Sequence, residues 1–250
     1  MVRPHRFYIP PEEWSSPWVL RGTEAAHAAK SLRCRPGDEV AGFDGQGRTG
    51  IFRVLGFKSG EVKLELLAEE EFVRSASGLV LALGWTKGLR RGWLLEKAAE
   101  LGAEALWFWS ASRSQGRIPG DGKGAWLGQV LAGAKQSGNP FLPKIEVLPG
   151  GAEALAARAG SFDQAIVLWE GLGEAGSVLD QNSFRTGRCL AVVGPEGGLT
   201  SLEVETLIRG GCRPAGLGSR ILRWETAALV CLVLAHLAQI SAGAGTESPQ

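Results

Sequence analysis

The first candidate for chemistry is a glycine-rich loop, Gly194-Pro195-Glu196-Gly197-Gly198. It follows an apolar run at residues 190–193, which is typical of a buried strand, and precedes a helix predicted to start at Thr200 by the capping-box pattern Thr-x-x-Glu. Ligands of open α/β sheets bind at such junctions, and glycine lets the backbone approach a ligand closely. The loop matches neither the dinucleotide pattern nor a P-loop. Taken alone, its residues favour an ordinary tight turn.

A second candidate segment places charged side chains directly before a long apolar stretch. It reads Leu217-Gly218-Ser219-Arg220-Ile221-Leu222-Arg223-Trp224-Glu225-Thr226-Ala227. The simplest interpretation makes Glu225 and Thr226 capping residues that favour the dipole of the following helix. That interpretation explains the glutamate and the threonine well, but it leaves Arg220 and Arg223 as unexplained surface charges.

Length and composition predict a folded protein of two domains. The chain has 250 residues, of which 44% are hydrophobic and 21% are charged. These are ordinary values for globular proteins and argue against disorder, and a usual domain takes roughly 100–150 residues. The formal net charge of +1 neither indicates nor excludes a nucleic-acid partner, because phosphate binding needs only a local basic patch.

Cysteine, histidine and hydropathy patterns argue against a disulfide framework, a metal site and a membrane location. The four cysteines and three histidines lack ligand-like spacing, which predicts buried thiols in a reducing compartment. The N-terminus carries no apolar signal region. Residues 226–242 are uncharged and near the lower limit of a membrane span, about 17 residues, but His236, Gln239 and Ser241 interrupt them. We therefore expect a helix buried in a domain or a subunit interface, in a cytoplasmic protein.

The pattern of predicted elements changes near residue 78. Three short alternating strands come first, at residues 39–43, 50–55 and 62–66. With a helix at 24–33, they predict a small β-barrel domain over residues 1–71, followed by a linker at 72–78. Residues 79–242 alternate apolar runs with helical patterns, which predicts an α/β domain whose parallel sheet is covered on both faces. Residues 243–250 are expected to be a frayed tail.

Within the α/β part, the apolar runs predict individual elements. Strands are expected at residues 79–83, 105–109, 145–147, 165–168 and 190–193, and helices at 92–101, 125–137, 200–210 and 226–242.

Together the two candidate segments closely resemble the ribosomal RNA small-subunit methyltransferase E family, which belongs to the SPOUT or α/β-knot superfamily. The resemblance rests on the glycine loop followed by residues 217–227 in this order and at this spacing. Similar segments extend it over nearly the whole chain, at residues 27–40, 97–102, 113–114 and 135–138. Three residues differ from those usual in the family: Asn139, Leu199 and Trp224.

The resemblance implies a fold, a cofactor and partners. The fold would be an N-terminal PUA-like β-barrel that binds RNA and a C-terminal trefoil-knot methyltransferase domain. The methyl donor would be S-adenosyl-L-methionine, without a metal, and the protein would be a homodimer. The residues implied to bind the donor are Gly194, Glu196, Gly197, Gly198, Leu217, Gly218, Ile221, Leu222 and Thr226.

The activity implied by the resemblance is methylation of N3 of a specific uridine in 16S ribosomal RNA of the small ribosomal subunit. Because N3 carries a proton, the enzyme must hold it in line with the methyl group and stabilise the uracil anion. Arg223 and Arg220 are candidates for that stabilisation. Glu225 and Glu196 are candidates to accept the proton or to orient an arginine.

Basic residues are the candidates for RNA contacts. They are Arg6, Lys30, Arg33, Arg35 and Arg113. Lys30, Arg33 and Arg35 form either a phosphate grip or an ordinary solvated surface, and the sequence favours neither. Two other functions remain open: a different SPOUT RNA methyltransferase that modifies a ribose 2′-hydroxyl or a tRNA base, and a non-catalytic ribosome-assembly factor that binds RNA.

Overall fold

The computed structural model of the chain describes residues 4–87, 90–119, 124–172, 177–185 and 187–244. The chain forms two compact units. The first comprises Met1–Arg74 together with Leu131–Leu142, and the second comprises Ser75–Val130 together with Pro143–Gln250. Of the predicted tail, residues 245–250 lie outside the described residues.

The first unit is built on one mixed five-stranded sheet. Its elements are β1 (Arg6–Tyr8), β2 (Val19–Leu20), α1 (Gly22–Ala26), β3 (Glu39–Phe43), β4 (Arg48–Lys58) and β5 (Glu61–Glu71), with a 3-10 turn at Pro11–Glu13 and a π-helical turn at His27–Ser31. The strand order is β1-β3-β4-β5-β2, in which only the β1–β3 pair is parallel. All three predicted strands are present, and the predicted helix is shorter and ends in the π-helical turn.

The predicted barrel is not confirmed, because the sheet is not closed within the described part of the chain. Its edge strands β1 and β2 do not pair with each other. They have only three and two residues, so they offer few backbone hydrogen bonds with which a ring of strands could close.

An aromatic core and a distant stretch of chain fill the first unit. Phe52, which is fully buried, makes edge-to-face contacts with Trp14 and Trp18. Trp14 is itself buried, so it belongs to the core and is not free to stack on a nucleobase. Leu131–Leu142 joins this unit, and Gly45 lies so close to Leu142 that an added Cβ would be 2.7 Å from its side chain.

The second unit is a parallel sheet with helices on both faces. Its strands are β6 (Gly78–Gly84), β7 (Ala105–Trp109), β8 (Lys144–Leu148), β9 (Gln164–Leu168), β10 (Arg188–Val193) and β11 (Arg213–Ala215). Its helices are α2 (Arg90–Glu100), α3 (Gly124–Ser137, which continues into the first unit), α4 (Gly151–Ala159), α5 (Ser201–Arg209) and α6 (Trp224–Ala244), with 3-10 turns at Glu170–Leu172 and Gln181–Phe184. The strand order is β11-β9-β10-β6-β7-β8, and every pair is parallel.

Burial on both faces explains why these strands are unbroken apolar runs. Along β6, Val80 and Ala82 pack with residues of α4 and α5 on one face of the sheet. Leu79, on the opposite face, lies beside Ala235 of α6. The predicted α/β fold with a parallel sheet is therefore confirmed. Helix α4, which has nine residues of which five are alanine, was not predicted from the sequence.

The last helix, α6, is buried on one side only. Ala228, Cys231, Leu232, Ala235 and Ala238 are buried, whereas Val233, Leu237 and Ile240 are exposed. Residues 224–242 are long and apolar enough to cross a membrane by length and composition alone. The packing of α6 against α2, β6 and β10 instead makes it part of the second unit.

Candidate functional site

Three loops follow the carboxyl ends of neighbouring strands in the second unit. The turn Glu170–Leu172 follows β9, the loop 194–198 follows β10, and the loop 216–223 follows β11. Since the three strands are parallel neighbours, their carboxyl ends meet at one edge of the sheet. Both segments that the sequence singled out therefore lie at the same edge, although a helix and a strand separate them in the chain.

The glycine loop after β10 is tightly packed. Its turn is closed by the Gly198 N–H, which donates to the Pro195 carbonyl at 2.8 Å. Gly198 has φ +73°, a left-handed conformation that favours glycine. An added Cβ at Gly198 would lie 2.9 Å from a carboxylate oxygen of Glu170, and one at Gly197 would lie 3.0 Å from Cβ of Arg113. The loop thus has little room for any side chain.

Arg113 holds this loop from the side of β7, which β6 separates from β10 in the sheet. The residue lies in the loop that follows β7, and its Nη1 donates to the carbonyl oxygen of Gly197 at 3.1 Å. An RNA contact was predicted for Arg113 from the sequence. The structure places its guanidinium against the glycine loop, 84 residues away in the chain, where it can fix the conformation of the loop.

The predicted capping box at the start of α5 is confirmed. Thr200 is the N-cap, and the Thr200 hydroxyl and the Glu203 carboxylate satisfy each other's backbone N–H groups. The buried Glu203 carboxylate also accepts the Ser112 N–H at 2.7 Å. Burial alone would raise the pKa of Glu203, but the hydrogen bonds from Ser112 and Thr200 hold that pKa below its ordinary value. Glu203 thereby joins the β7 loop to the helix that follows the glycine loop.

We expect Glu203→Gln to destabilise the protein by about 1–3 kcal/mol, because an amide cannot accept all the N–H groups that now meet at the carboxylate. A carboxylate with a lowered pKa stabilises the fold above its unfolded-state pKa and loses that contribution as the pH falls towards its folded-state pKa. The stability difference between wild type and variant should therefore be largest near neutral pH and shrink in acid.

Thermal unfolding as a function of pH measures this difference. Glu205→Gln is the matched control, because Glu205 is exposed on the same helix. If the stability difference between wild type and Glu203→Gln did not depend on pH, the prediction that Glu203 acts as an ionised cap of α5 would be contradicted.

The loop after β11 is anchored at its start and exposed further on. The Gly216 N–H donates to the Ser177 carbonyl, and the Leu179 N–H donates to the Gly216 carbonyl, both at 2.9 Å. Beyond this anchor, Gly218 is exposed with φ +97°, and Ile221 is 89% exposed. The backbone of this loop is therefore available to a ligand.

The two arginines of this loop are also exposed. Among the described residues, neither Arg220 nor Arg223 makes an ion pair. Their charges are available to an external anion such as phosphate or a developing oxyanion.

Glu225 lies apart from solvent, at the start of α6. It is 6% exposed, and its Oε1 accepts a hydrogen bond from Nη1 of Arg90 at 2.6 Å. A cavity of about 410 Å³ adjoins this ion pair and is lined by Arg90, Trp93, Glu225, Thr226 and Leu229. Sequence reasoning missed Arg90 and Trp93. Their position at the start of a helix that follows a buried strand was the feature of the sequence that could have identified them as site residues.

The remaining RNA candidates lie in the first unit. Lys30, Arg33 and Arg35 are exposed, and Arg6 is half-buried. Lys30 lies in the π-helical turn, and Arg33 has φ +53°, so the segment between α1 and β3 carries the three exposed charges. No group of three or more His, Cys, Asp or Glu side chains in the described residues could hold a metal.

All four cysteines are buried thiols that form no disulfide bond, as predicted. Burial raises the pKa of Cys189 and Cys212 to about 11 and that of Cys231 to about 12. These thiols are therefore protonated at neutral pH and poorly suited to nucleophilic chemistry.

Comparison with known proteins identifies the family to which the chain belongs. Residues 74–236 match the RNA methyltransferase domain family. Ribosomal RNA small subunit methyltransferase E of Mycobacterium bovis is 30% identical over 223 residues, which are 86% of this chain and 84% of the relative. This chain belongs to the ribosomal RNA small subunit methyltransferase E family. The methyltransferase E of Bacillus subtilis is 29% identical over 225 residues, 85% of this chain and 87% of the relative.

Solved structures agree with membership of the methyltransferase E family. Ribosomal RNA small subunit methyltransferase E of Neisseria gonorrhoeae, bound to S-adenosyl methionine, has a TM-score of 0.76 at 26% identity and covers 93% of this chain and 96% of its own. A methyltransferase of Legionella pneumophila shares the fold, with a TM-score of 0.81 at 23% identity over 96% of this chain and 98% of its own.

Proposed function

We propose that this methyltransferase E chain transfers a methyl group from S-adenosyl-L-methionine to N3 of one uridine in 16S ribosomal RNA. The observation that carries the proposal is the meeting of the glycine loop and the arginine-bearing loop at one edge of the parallel sheet. The names of the relatives, which are methyltransferases of small-subunit ribosomal RNA, support the class of reaction and substrate. The choice of N3 rests on the resemblance of residues 194–198 and 217–227 to the family.

The donor site is proposed to be formed by the loops after β10 and β11. Glycines leave the peptide groups accessible there, and half-buried Leu217 and Leu222 offer apolar surface for an adenine ring. S-adenosyl methionine bound to the Neisseria gonorrhoeae relative supports this choice of donor. The proposed binding residues are Gly194, Glu196, Gly197, Gly198, Leu217, Gly218, Ile221, Leu222 and Thr226. The trefoil knot implied by the family belongs to the same proposal.

The exposed arginines are proposed to act on the RNA. Bound S-adenosylmethionine supplies an electrophilic sulfonium methyl group. Arg223 would face the uracil carbonyls and stabilise the anion that forms when N3 loses its proton, and Arg220 would hold a neighbouring phosphate. Glu196 is exposed. It is proposed as the proton acceptor in preference to Glu225, because the Glu225 carboxylate already accepts a hydrogen bond from Arg90.

The first unit is proposed to bind RNA, as the family's PUA-like barrel would. Exposed Lys30, Arg33 and Arg35 on one turn support this role, and Arg6 is proposed as a further contact. Positive charge on one short segment is the feature expected of a phosphate-binding surface.

The second unit is proposed to form a homodimer through α6. Val233, Leu237 and Ile240 are 38%, 43% and 55% exposed, and their spacing of four and three residues places them on one side of the helix. An apolar stripe of this kind suits burial against a second copy. With ribosomal RNA as its substrate, the protein is proposed to act in the cytoplasm.

Primer extension on 16S RNA tests the proposed product. Methylation at N3 blocks Watson–Crick pairing, so reverse transcriptase should stop at one uridine in cells that contain the protein and read through when its gene is deleted. Assembled small subunits, as well as free 16S RNA and tRNA, should be offered as acceptors in vitro with labelled donor. Label confined to ribose or to tRNA would contradict the assignment, and RNA binding without any label would indicate an assembly factor.

A further inference from the structure

Of the described residues that line the cavity at the start of α6, Thr226 alone belongs to the donor site proposed above. The cavity lining combines a tryptophan, an arginine and a buried carboxylate: Arg90 and Trp93 come from α2, and Glu225 comes from α6. None of these three residues belongs to the glycine loop or to the loop after β11. Glu225, which lines the cavity, follows Arg223 by two residues. The cavity therefore lies close in sequence to the loop that carries the proposed catalytic arginine.

Trp93 is an unusual residue for the surface of α2. It is 41% exposed, whereas the next two side chains, Leu94 and Leu95, are buried. The Lys97 ammonium lies 6.0 Å from the Trp93 ring centroid. A partly exposed indole at the wall of a cavity offers a flat surface on which a nucleobase can stack.

Arg90 supplies hydrogen-bond donors at the same cavity. Its Nη1 binds the Glu225 carboxylate, and 62% of its side chain remains exposed. Because Glu225 is buried, the ion pair fixes the direction of the guanidinium, whose other N–H groups can face the cavity. Uracil carries two carbonyl acceptors beside N3, so a fixed guanidinium complements it.

The size of the cavity fits this ligand. Small-molecule sites usually measure roughly 300–1,000 Å³, and about 410 Å³ can hold a pyrimidine nucleoside. We propose that this cavity receives the flipped-out target uridine, with its base stacked on Trp93 and a uracil carbonyl bound by Arg90. The inference rests on the proposed function and names the base-binding part of the site. Glu225 is then a positioning residue for Arg90.

Steady-state methylation of small subunits that lack the modification tests the pocket. Trp93→Ala should raise KM for the subunits about ten-fold, the effect of losing one stacked base, and Trp93→Phe should restore most of the affinity. The affinity for S-adenosylmethionine, measured by calorimetry, should stay within about two-fold of wild type, since the donor loops are untouched. Leu127→Ala is the matched control, because Leu127 is an exposed apolar residue on α3.

The mass of each variant in solution shows whether Trp93 binds the base or instead contributes to a contact between subunits. Unchanged KM in Trp93→Ala, or loss of activity together with dissociation of a dimer, would overturn the base pocket. A matching loss of donor affinity would assign the cavity to the donor instead. Failure of the proposed function is distinguishable from all of these, because the wild-type protein would then leave the subunits unlabelled.

Glu225→Gln tests the positioning role. The amide can still accept a hydrogen bond from Arg90, but it lacks the negative charge that holds the guanidinium in place. We therefore expect a raised KM and an unchanged dependence of kcat on pH. If kcat of the variant lost its dependence on pH, Glu225 would be the proton acceptor and the assignment would be overturned.

Discussion

Replacing Gly197 by valine is expected to abolish binding of S-adenosylmethionine while the chain stays folded. A Cβ at this position already lies 3.0 Å from Cβ of Arg113, so a branched side chain must push the loop after β10 away from Arg113. That shift would break the hydrogen bond from Arg113 to the Gly197 carbonyl and fill the space that the donor needs. We expect a loss of affinity of at least about 100-fold, which calorimetry measures directly.

Gly218→Val probes the second loop by a different route. Nothing lies within 4 Å of an added Cβ at Gly218, but φ +97° is strained for any branched residue. The variant should therefore reshape the loop and weaken donor binding. Gly128→Val is the control, because Gly128 is exposed on α3 with nothing within 4 Å of an added Cβ. Normal affinity for S-adenosylmethionine in both loop variants would show that the donor does not bind to these loops.

Arg223→Ala is expected to lose most methyl transfer, by about 100-fold or more, and to keep near-normal donor affinity. The side chain is exposed, two residues before Glu225 of the proposed base pocket. Its charge is proposed to stabilise the uracil anion, and one such electrostatic contact is worth roughly 10²–10³ in rate. Single-turnover methylation of small subunits at saturating donor measures the chemical step, and calorimetry measures the donor.

Arg209→Ala provides the comparison for Arg223, because Arg209 is an exposed arginine in the last turn of α5. That variant should be fully active. If Arg223→Ala weakened donor binding as much as it slowed turnover, the arginine would belong to the donor pocket rather than to the RNA.

Local patterns in the sequence were sufficient for most elements of the second unit. The unbroken apolar run within β6 predicted a strand buried on both faces. The Thr200 to Glu203 spacing predicted the start of α5, because a capping box is formed by residues three apart. The two motif segments predicted the family, since their residue types and spacing are specific together.

The same local patterns could not predict how the first unit closes. They predicted its strands at residues 39–43, 50–55 and 62–66, but the two edge strands are too short to produce an alternating pattern. The membership of Leu131–Leu142 in this unit also has no local signal. Packing such as that of Leu142 against Gly45 depends on residues almost 100 positions apart.

The sequence and the tertiary structure likewise determine different features of the candidate site. The sequence by itself determined which residues lie in the two loops, because a glycine-rich turn and a capped helix are encoded by neighbours in the chain. Only the tertiary structure joined Arg113 to Gly197 and Arg90 to Glu225, across 84 and 135 residues. These pairings depend on the order of strands in the parallel sheet, which long crossover connections create and which no periodicity of the sequence records.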